Sequence, residues 1–255
     1  MSVGSTKNLR LVGLATVLSV LAYATAPDQA SASGIYSSHA APIWGQLGSD
    51  LNHQVRVTSP DGKSVAVARF ADVGDGYVRI TTNGSIGKRT VSLGAGVASE
   101  LVWSPSSDAF FVTTSDDGAN GHFRTIVVGR GQKGPVVRDL SALVERRFGF
   151  PVKCGWKELP NIGGIRWTAS GSVIVAAEIV AHSNCDSFGT FQAYEVDWRA
   201  SRILKSFSQL EAKRLFSADL GDELKGASDE CALAPRRCWV STNHPEAEGN
   251  APNLK

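Results

Sequence analysis

The side chains best suited to recognition fall close together. Arg146, Arg147, Phe148, Phe150, Lys153, Trp156 and Lys157 interleave cations with aromatics within residues 146–157. Guanidinium and indole groups concentrate energy at interfaces, and a basic, aromatic patch also suits an anionic glycan. A thinner set is His122, His182 and Asp186, the residue types used for metal ligation or for acid–base work near neutral pH. They stand on separate stretches of chain, and no motif links them. The predicted binding set is therefore Arg146, Arg147, Lys153, Trp156, Lys157, His122, His182 and Asp186.

Asp72, Asp75, Asp116, Asp117 and Asn120 are oxygen donors of the kind calcium takes. Asp116-Asp117-Gly118-Ala119-Asn120 lacks the alternate spacing of a calcium loop, however, and Asx–Gly runs are ordinary hairpin chemistry. We read these residues as turns and expect neither a metal nor a cofactor. Neither G-x-S-x-G nor H-E-x-x-H occurs, so the common patterns for an activated serine or a catalytic zinc are missing. Gly94-Ala95-Gly96 has no third glycine and no following helix to cradle a phosphate. The predicted catalytic set is empty. With 26 Lys and Arg against 24 Asp and Glu, the net charge of +2 gives no support to a nucleic-acid partner.

Such residues need elements to position them, and residues 55–70 (VRVTSPDGKSVAVARF) show what those elements are. They read as strand, turn, strand. Pro60 presets φ, Asp61 can bond its own backbone, and Gly62 accepts positive φ, while Val65, Val67 and Phe70 mark buried positions in the flank. The unit returns at residues 101–114 and 165–177, with Trp103 and Trp167 in matching places. From Pro60 to Pro105 is 45 residues; from Pro105 to Ala169, which stands where the proline stood, is 64. The excess is an insertion at about residues 142–161, which holds the basic and aromatic cluster. Three four-stranded repeats are predicted, at about residues 53–94, 99–141 and 163–207, and the fold class is all-β. A matched Trp in such a strand is read as core packing.

Ser59-Pro60-Asp61-Gly62-Lys63 together with Trp103-Ser104-Pro105 and Trp167-Thr168 resembles the WD40-like, TolB-type β-propeller repeat. Ser106-Ser107 stands where Asp-Gly is usual, and blade three keeps only a displaced Ser170-Gly171. The resemblance implies a β-propeller-like fold and protein–protein work in the cell envelope. Propellers close with about four to eight blades, so closure would need a degenerate fourth blade from the two ends of the chain, or dimerisation into a ring; a non-propeller stack or sandwich is the remaining option. In an up-and-down blade the loop between strands two and three shares a face with the loop leading to the next blade. That places residues 71–76, 116–122 and 181–190 with the insertion, and brings Cys154 near Cys185.

Lys7 and Arg10, a short apolar run at residues 11–22 and the small-residue sites Ala22-Tyr23-Ala24 and Ala30-Ser31-Ala32 read as a signal peptide over residues 1–32. Residues 33–255 are then one exported domain, periplasmic or extracellular, with no transmembrane segment after cleavage. An even count of four Cys favours disulfides in that setting. Three pairings are open on paper; Cys231–Cys238 as a local clip and Cys154–Cys185, on the propeller topology, are preferred. After blade three, Ser208 and Glu211 form a capping-box pattern, with Leu210, Leu215 and Phe216 expected on one side of a short helix. Residues 208–255 are otherwise a C-terminal extension. The expected function is a non-enzymatic binding or interaction protein offering one loop face to a protein or an anionic glycan. The alternatives are a hydrolase or lyase gathering residues from the same loops, and a purely structural envelope domain.

Overall fold

Period-two alternation of small apolar and polar residues makes strands throughout the middle of the chain. The computed structural model describes residues 34–43, 54–70, 78–93, 98–115, 121–148, 159–179 and 189–233, the side chains of Phe70, Val78, Glu230 and Cys231 excepted. Residues 1–32, read above as a signal peptide, lie outside the described residues. After the short strand β1 (Ala41–Pro42) come β2 (Gln54–Thr58), β3 (Val65–Phe70), β4 (Val78–Asn83) and β5 (Arg89–Ser92), an antiparallel sheet in sequence order. β6 (Ser99–Trp103), β7 (Ala109–Ser115), β8 (Phe123–Gly131) and β9 (Gly134–Asp139) form a second, which β1 extends by pairing Ala41 with Leu101. After α1 (Ser141–Arg147), β10 (Asn161–Trp167), β11 (Val173–Glu178), β12 (Phe191–Asp197) and β13 (Arg202–Phe207) form the third. Three short helices end the described chain: α2 (Gln209–Phe216), α3 (Asp222–Gly226) and α4 (Asp229–Leu233). The protein is mostly β, and all twelve strands read from the repeats are found.

The second sheet is buried on both faces. Leu101, Trp103, Phe110 and Ile126 meet Val55, Ala66, Ala68 and Ile80 of the first sheet. Val102, Phe111 and Val127 meet Ile162, Trp167, Val175 and Tyr194 of the third. The far side of the third sheet, with Ile165, Ile174, Ala193 and Phe207, is covered by Ala212, Leu220, Leu224 and Tyr36. Each matched Trp also fixes its neighbour sheet: Trp103 Nε1 donates to Val57 O at 3.1 Å, and Trp167 Nε1 to Val102 O at 3.1 Å. Val57 and Val102 hold the same place in their repeats, so the contact repeats with the sequence.

The turns explain the motif. Gly62 N donates to Ser59 O, Ser107 N to Ser104 O, and Gly171 N to Thr168 O. The fourth residue of the turn has positive φ in all three: 72° at Gly62, 59° at Ser107 and 79° at Gly171. Gly171 is thus in register rather than displaced; the third turn is one residue shorter on its far side, with Thr168 N bonding Ser172 O where Ser59 N bonds Ser64 O. In the second turn Asp108 takes the role of Asp61, accepting from Ser104 and Ser106.

Three expectations change. The insertion is not loop from residue 142: Leu140, Val144 and Phe148 recur every fourth residue and pack α1 against the core between sheets two and three. Leu210 and Leu215 of α2 are exposed at 43% and 49%, while Gln209 and Ala212 are buried and Phe216 packs on the core. The capping box itself is present, with Ser208 N donating to Glu211 Oε2 at 2.8 Å. Finally, the described parts of the two ends meet, through a Ser37–Leu220 bridge and a Gly221 N to Tyr36 O bond, but as a strand-and-helix cap; among the described residues there is no fourth sheet.

Candidate functional site

Of the predicted binding set, Arg146, Arg147 and His122 lie within the described residues; Lys153, Trp156, Lys157, His182 and Asp186 lie outside them. Arg146 and Arg147 are exposed in the last turn of α1, where cations complement the helix dipole. His122 Nε2 donates to Pro160 O at 2.8 Å and stands 3.5 Å from Glu145 Oε1. It braces the two described ends of the insertion, so it has a structural task. The half-buried Phe148 packs on the core. The cysteines Cys154, Cys185 and Cys238, and the side chain of Cys231, lie outside the described residues, as do Asp72, Asp75, Asp116, Asp117 and Asn120. Among the described residues no group of three or more His, Cys, Asp or Glu side chains is placed to hold a metal ion, and no helix is long and apolar enough to cross a membrane.

The structure brings forward two groups that sequence reading missed. One is a buried polar clasp on the residue 34–43 segment. Glu100, on β6 and 2% exposed, accepts from Ile35 N at 2.7 Å and Tyr36 N at 3.1 Å. Tyr36 lies flat over Gly163, where any Cβ would run into its ring, and its hydroxyl donates to Glu178 Oε2 at 2.8 Å. Glu223 of α3 shares a hydrogen bond with Glu178. Burial pushes Glu100 up to about 8, against the backbone N–H groups that favour its carboxylate. Burial, and then the neighbouring Glu223 charge, push Glu178 up to about 8 as well. Burial and the Glu178 charge raise Tyr36 well above its ordinary range. These groups dock the residue 34–43 segment and α3 onto the sheets. Most of their oxygens are already engaged, so the clasp is an anchor rather than an open reaction centre.

The other group is the free side of the first sheet. Register puts Gln54, Arg69, Arg79 and Ser92 in one row across the strands, Arg56, Val67, Thr81 and Thr90 in the next, and Thr58, Val65 and Asn83 in a third. Direct cross-strand partners share a face, and this face is opposite to the one holding Val55, Ala66, Ala68 and Ile80. Arg56, Arg69 and Arg79 are exposed, and none of them is in an ion pair with a described residue. The three rows contain no carboxylate. At the turn end, a shallow open groove of about 320 Å³ is lined by Arg56, Thr58, Lys63, Val65, Asn83 and Gly84 among others. Asp61, in the turn itself, is held below the usual carboxylate range by the Lys63 backbone N–H and the Ser59 hydroxyl. An alternate-residue Arg in a strand ordinarily signals a solvated face, which is why the sequence alone gave these residues no prominence.

Comparison with protein-family models, with curated proteins and with solved structures found no match to this chain.

Proposed function

We propose that the chain is an exported, non-enzymatic binding protein built on a propeller-like stack of three blades. The blade reading is supported by the sequential antiparallel order of each sheet, the three equivalent turns, and the Trp-to-carbonyl contact that recurs from sheet to sheet. Export rests on the leader pattern of residues 1–32.

The observation that carries a binding role is the asymmetry of the stack. Both faces of the second sheet and both faces of the third are covered, whereas no described residue packs over one face of the first sheet, and the three guanidiniums on it have no ion-pair partner among the described residues. A sheet face that no described part of the chain covers is available to a partner, and its charge selects an anionic one. The contact surface proposed is thus a sheet face rather than the loop face.

Thermal unfolding with dextran sulfate, and with neutral dextran as control, tests this. A ligand that binds only the folded state raises Tm by mass action, here by a few degrees at saturating polymer, about 2–4 °C for each kcal/mol. The rise is expected with wild-type protein and dextran sulfate, and should shrink to the level of neutral dextran in the double variant R69Q/R79Q. An equal rise in that variant would place the binding elsewhere, and no rise at all would remove the reading.

A further inference from the structure

The cations on the open face of the first sheet form a track. Arg69 and Arg79 are direct cross-strand partners, and Arg56 lies on the adjacent strand in the next row. With strands about 4.8 Å apart and alternate residues about 6.8 Å apart along a strand, the guanidinium-bearing positions are spaced by roughly 5 and 8 Å along a diagonal. Lys63 adds a fourth cation beyond the third row, in the wall of the groove at the turn end. Like charges set directly opposite each other destabilise a sheet pair, and no described carboxylate relieves these two. A chain that keeps such a local conflict commonly does so at a functional surface.

Resting on the binding role proposed above, the geometry points to an acidic polysaccharide, a glycan chain bearing carboxylates along its length, as the occupant of this face. Arginine forks match carboxylates in a two-point, charge-assisted geometry. Between and beside them stand neutral hydrogen-bonding groups suited to sugar hydroxyls: the Thr81 and Thr90 hydroxyls, 3.0 Å apart, with Thr58 and Asn83 toward the groove.

Other polyanions fit less well. A folded protein partner needs an apolar centre with aromatic or aliphatic anchors, and this face offers Val65 and Val67, both half-buried, and no aromatic residue in its three rows. Single-stranded nucleic acid is held largely by stacking on aromatic rings, which the rows also lack. An anionic glycan needs only the charges and the hydroxyl partners, and both are present.

The test is a titration of the full chain with polygalacturonate, dextran sulfate, poly-L-glutamate and neutral dextran, each at about 50 and 200 mM salt. Polygalacturonate is expected to bind, to weaken roughly tenfold or more over that salt range by the counterion argument established for other polyanions, and to weaken at least tenfold in R69Q/R79Q. Poly-L-glutamate is expected at least tenfold weaker, and dextran should not bind. These are exposed polar substitutions that relieve the Arg69–Arg79 repulsion, and an unchanged circular dichroism spectrum with a Tm no lower than that of the wild type will show that the variant is folded. Poly-L-glutamate binding as tightly as polygalacturonate would overturn the glycan in favour of an acidic protein segment. Binding of dextran sulfate without polygalacturonate would overturn the carboxylate glycan while leaving the anionic face intact. Loss of binding in R146Q/R147Q but not in R69Q/R79Q would move the site to α1 and overturn both.

Discussion

Gly62, Ser107 and Gly171 hold one position in three successive turns, all with left-handed backbone. At Gly62 a Cβ would meet nothing within 4 Å, so a side chain there costs only the strain of the left-handed conformation. Gly62→Ala is therefore expected to lose about 1–2 kcal/mol in urea unfolding, with an unchanged m-value. Ser107 accepts the same conformation at φ 59°, and its hydroxyl accepts from Asp61 N at 3.0 Å, joining the first and second turns. Ser107→Ala should lose about 1 kcal/mol by the same measurement. The turns were legible because Pro-Asp-Gly dictates φ locally. That Asp108 and Ser107 could replace Asp-Gly was not, because both find partners that are distant in sequence: Arg199 Nη2 lies 2.8 Å from Asp108 Oδ2, and Asp61 meets Ser107.

Between elements, the sheets are tied by buried hydrogen bonds as well as by apolar contact. Thr113 Oγ1 accepts from Gly164 N at 2.9 Å, and Thr125 Oγ1 donates to Ile162 O at 2.9 Å. Thr113→Val is nearly isosteric but leaves the Gly164 N–H unsatisfied in the core, so a loss of about 1–3 kcal/mol in urea unfolding is expected. Gly163→Ala would drive a methyl into the Tyr36 ring; a loss of about 1–3 kcal/mol is expected, with faster proteolysis near residue 36 as the local readout. The strands could be read from alternation and turn spacing, since both are local. β1 gives only a faint signal in residues 41–48, because just two residues pair and what holds them is the edge of β6. α1 carried a readable signal, the spacing of Leu140, Val144 and Phe148, but it sat inside a stretch whose excess length pointed to a loop.

At the scale of the whole molecule, Glu100 and Glu178 couple stability to pH. In the unfolded chain a glutamate ionises near its ordinary value of about 4.3, whereas the folded protein holds these two protons until about pH 8. Between those values the folded state binds more protons than the unfolded one, so the stability these groups contribute is full at acid pH and is lost as pH rises through the folded value. Unfolding free energy is expected to fall from about pH 5 to pH 8 and to level off beyond. Glu178→Gln keeps an acceptor for the Tyr36 hydroxyl and removes one titration, so its profile should be flatter over that range. Urea melts at a series of pH values will show whether the slope changes. Neither carboxyl stands out in the sequence, since burial of a strand glutamate is set by what packs over it. The same holds in reverse for Arg56, Arg69 and Arg79: their significance comes from the lack of any described residue packed over them, and a single strand cannot show that.

The cationic face that no described residue covers or pairs is the feature on which the functional account depends, and arginine-specific labelling tests it most directly. Phenylglyoxal modification of the full-length protein, followed residue by residue by mass spectrometry, should find Arg56, Arg69 and Arg79 reacting as fast as the exposed Arg146, and slowing at least several-fold when polygalacturonate is added. Protection of all three in the free protein would mean that the face is already covered, and unchanged rates with polymer bound would mean that the polymer sits elsewhere. Either result would contradict the account.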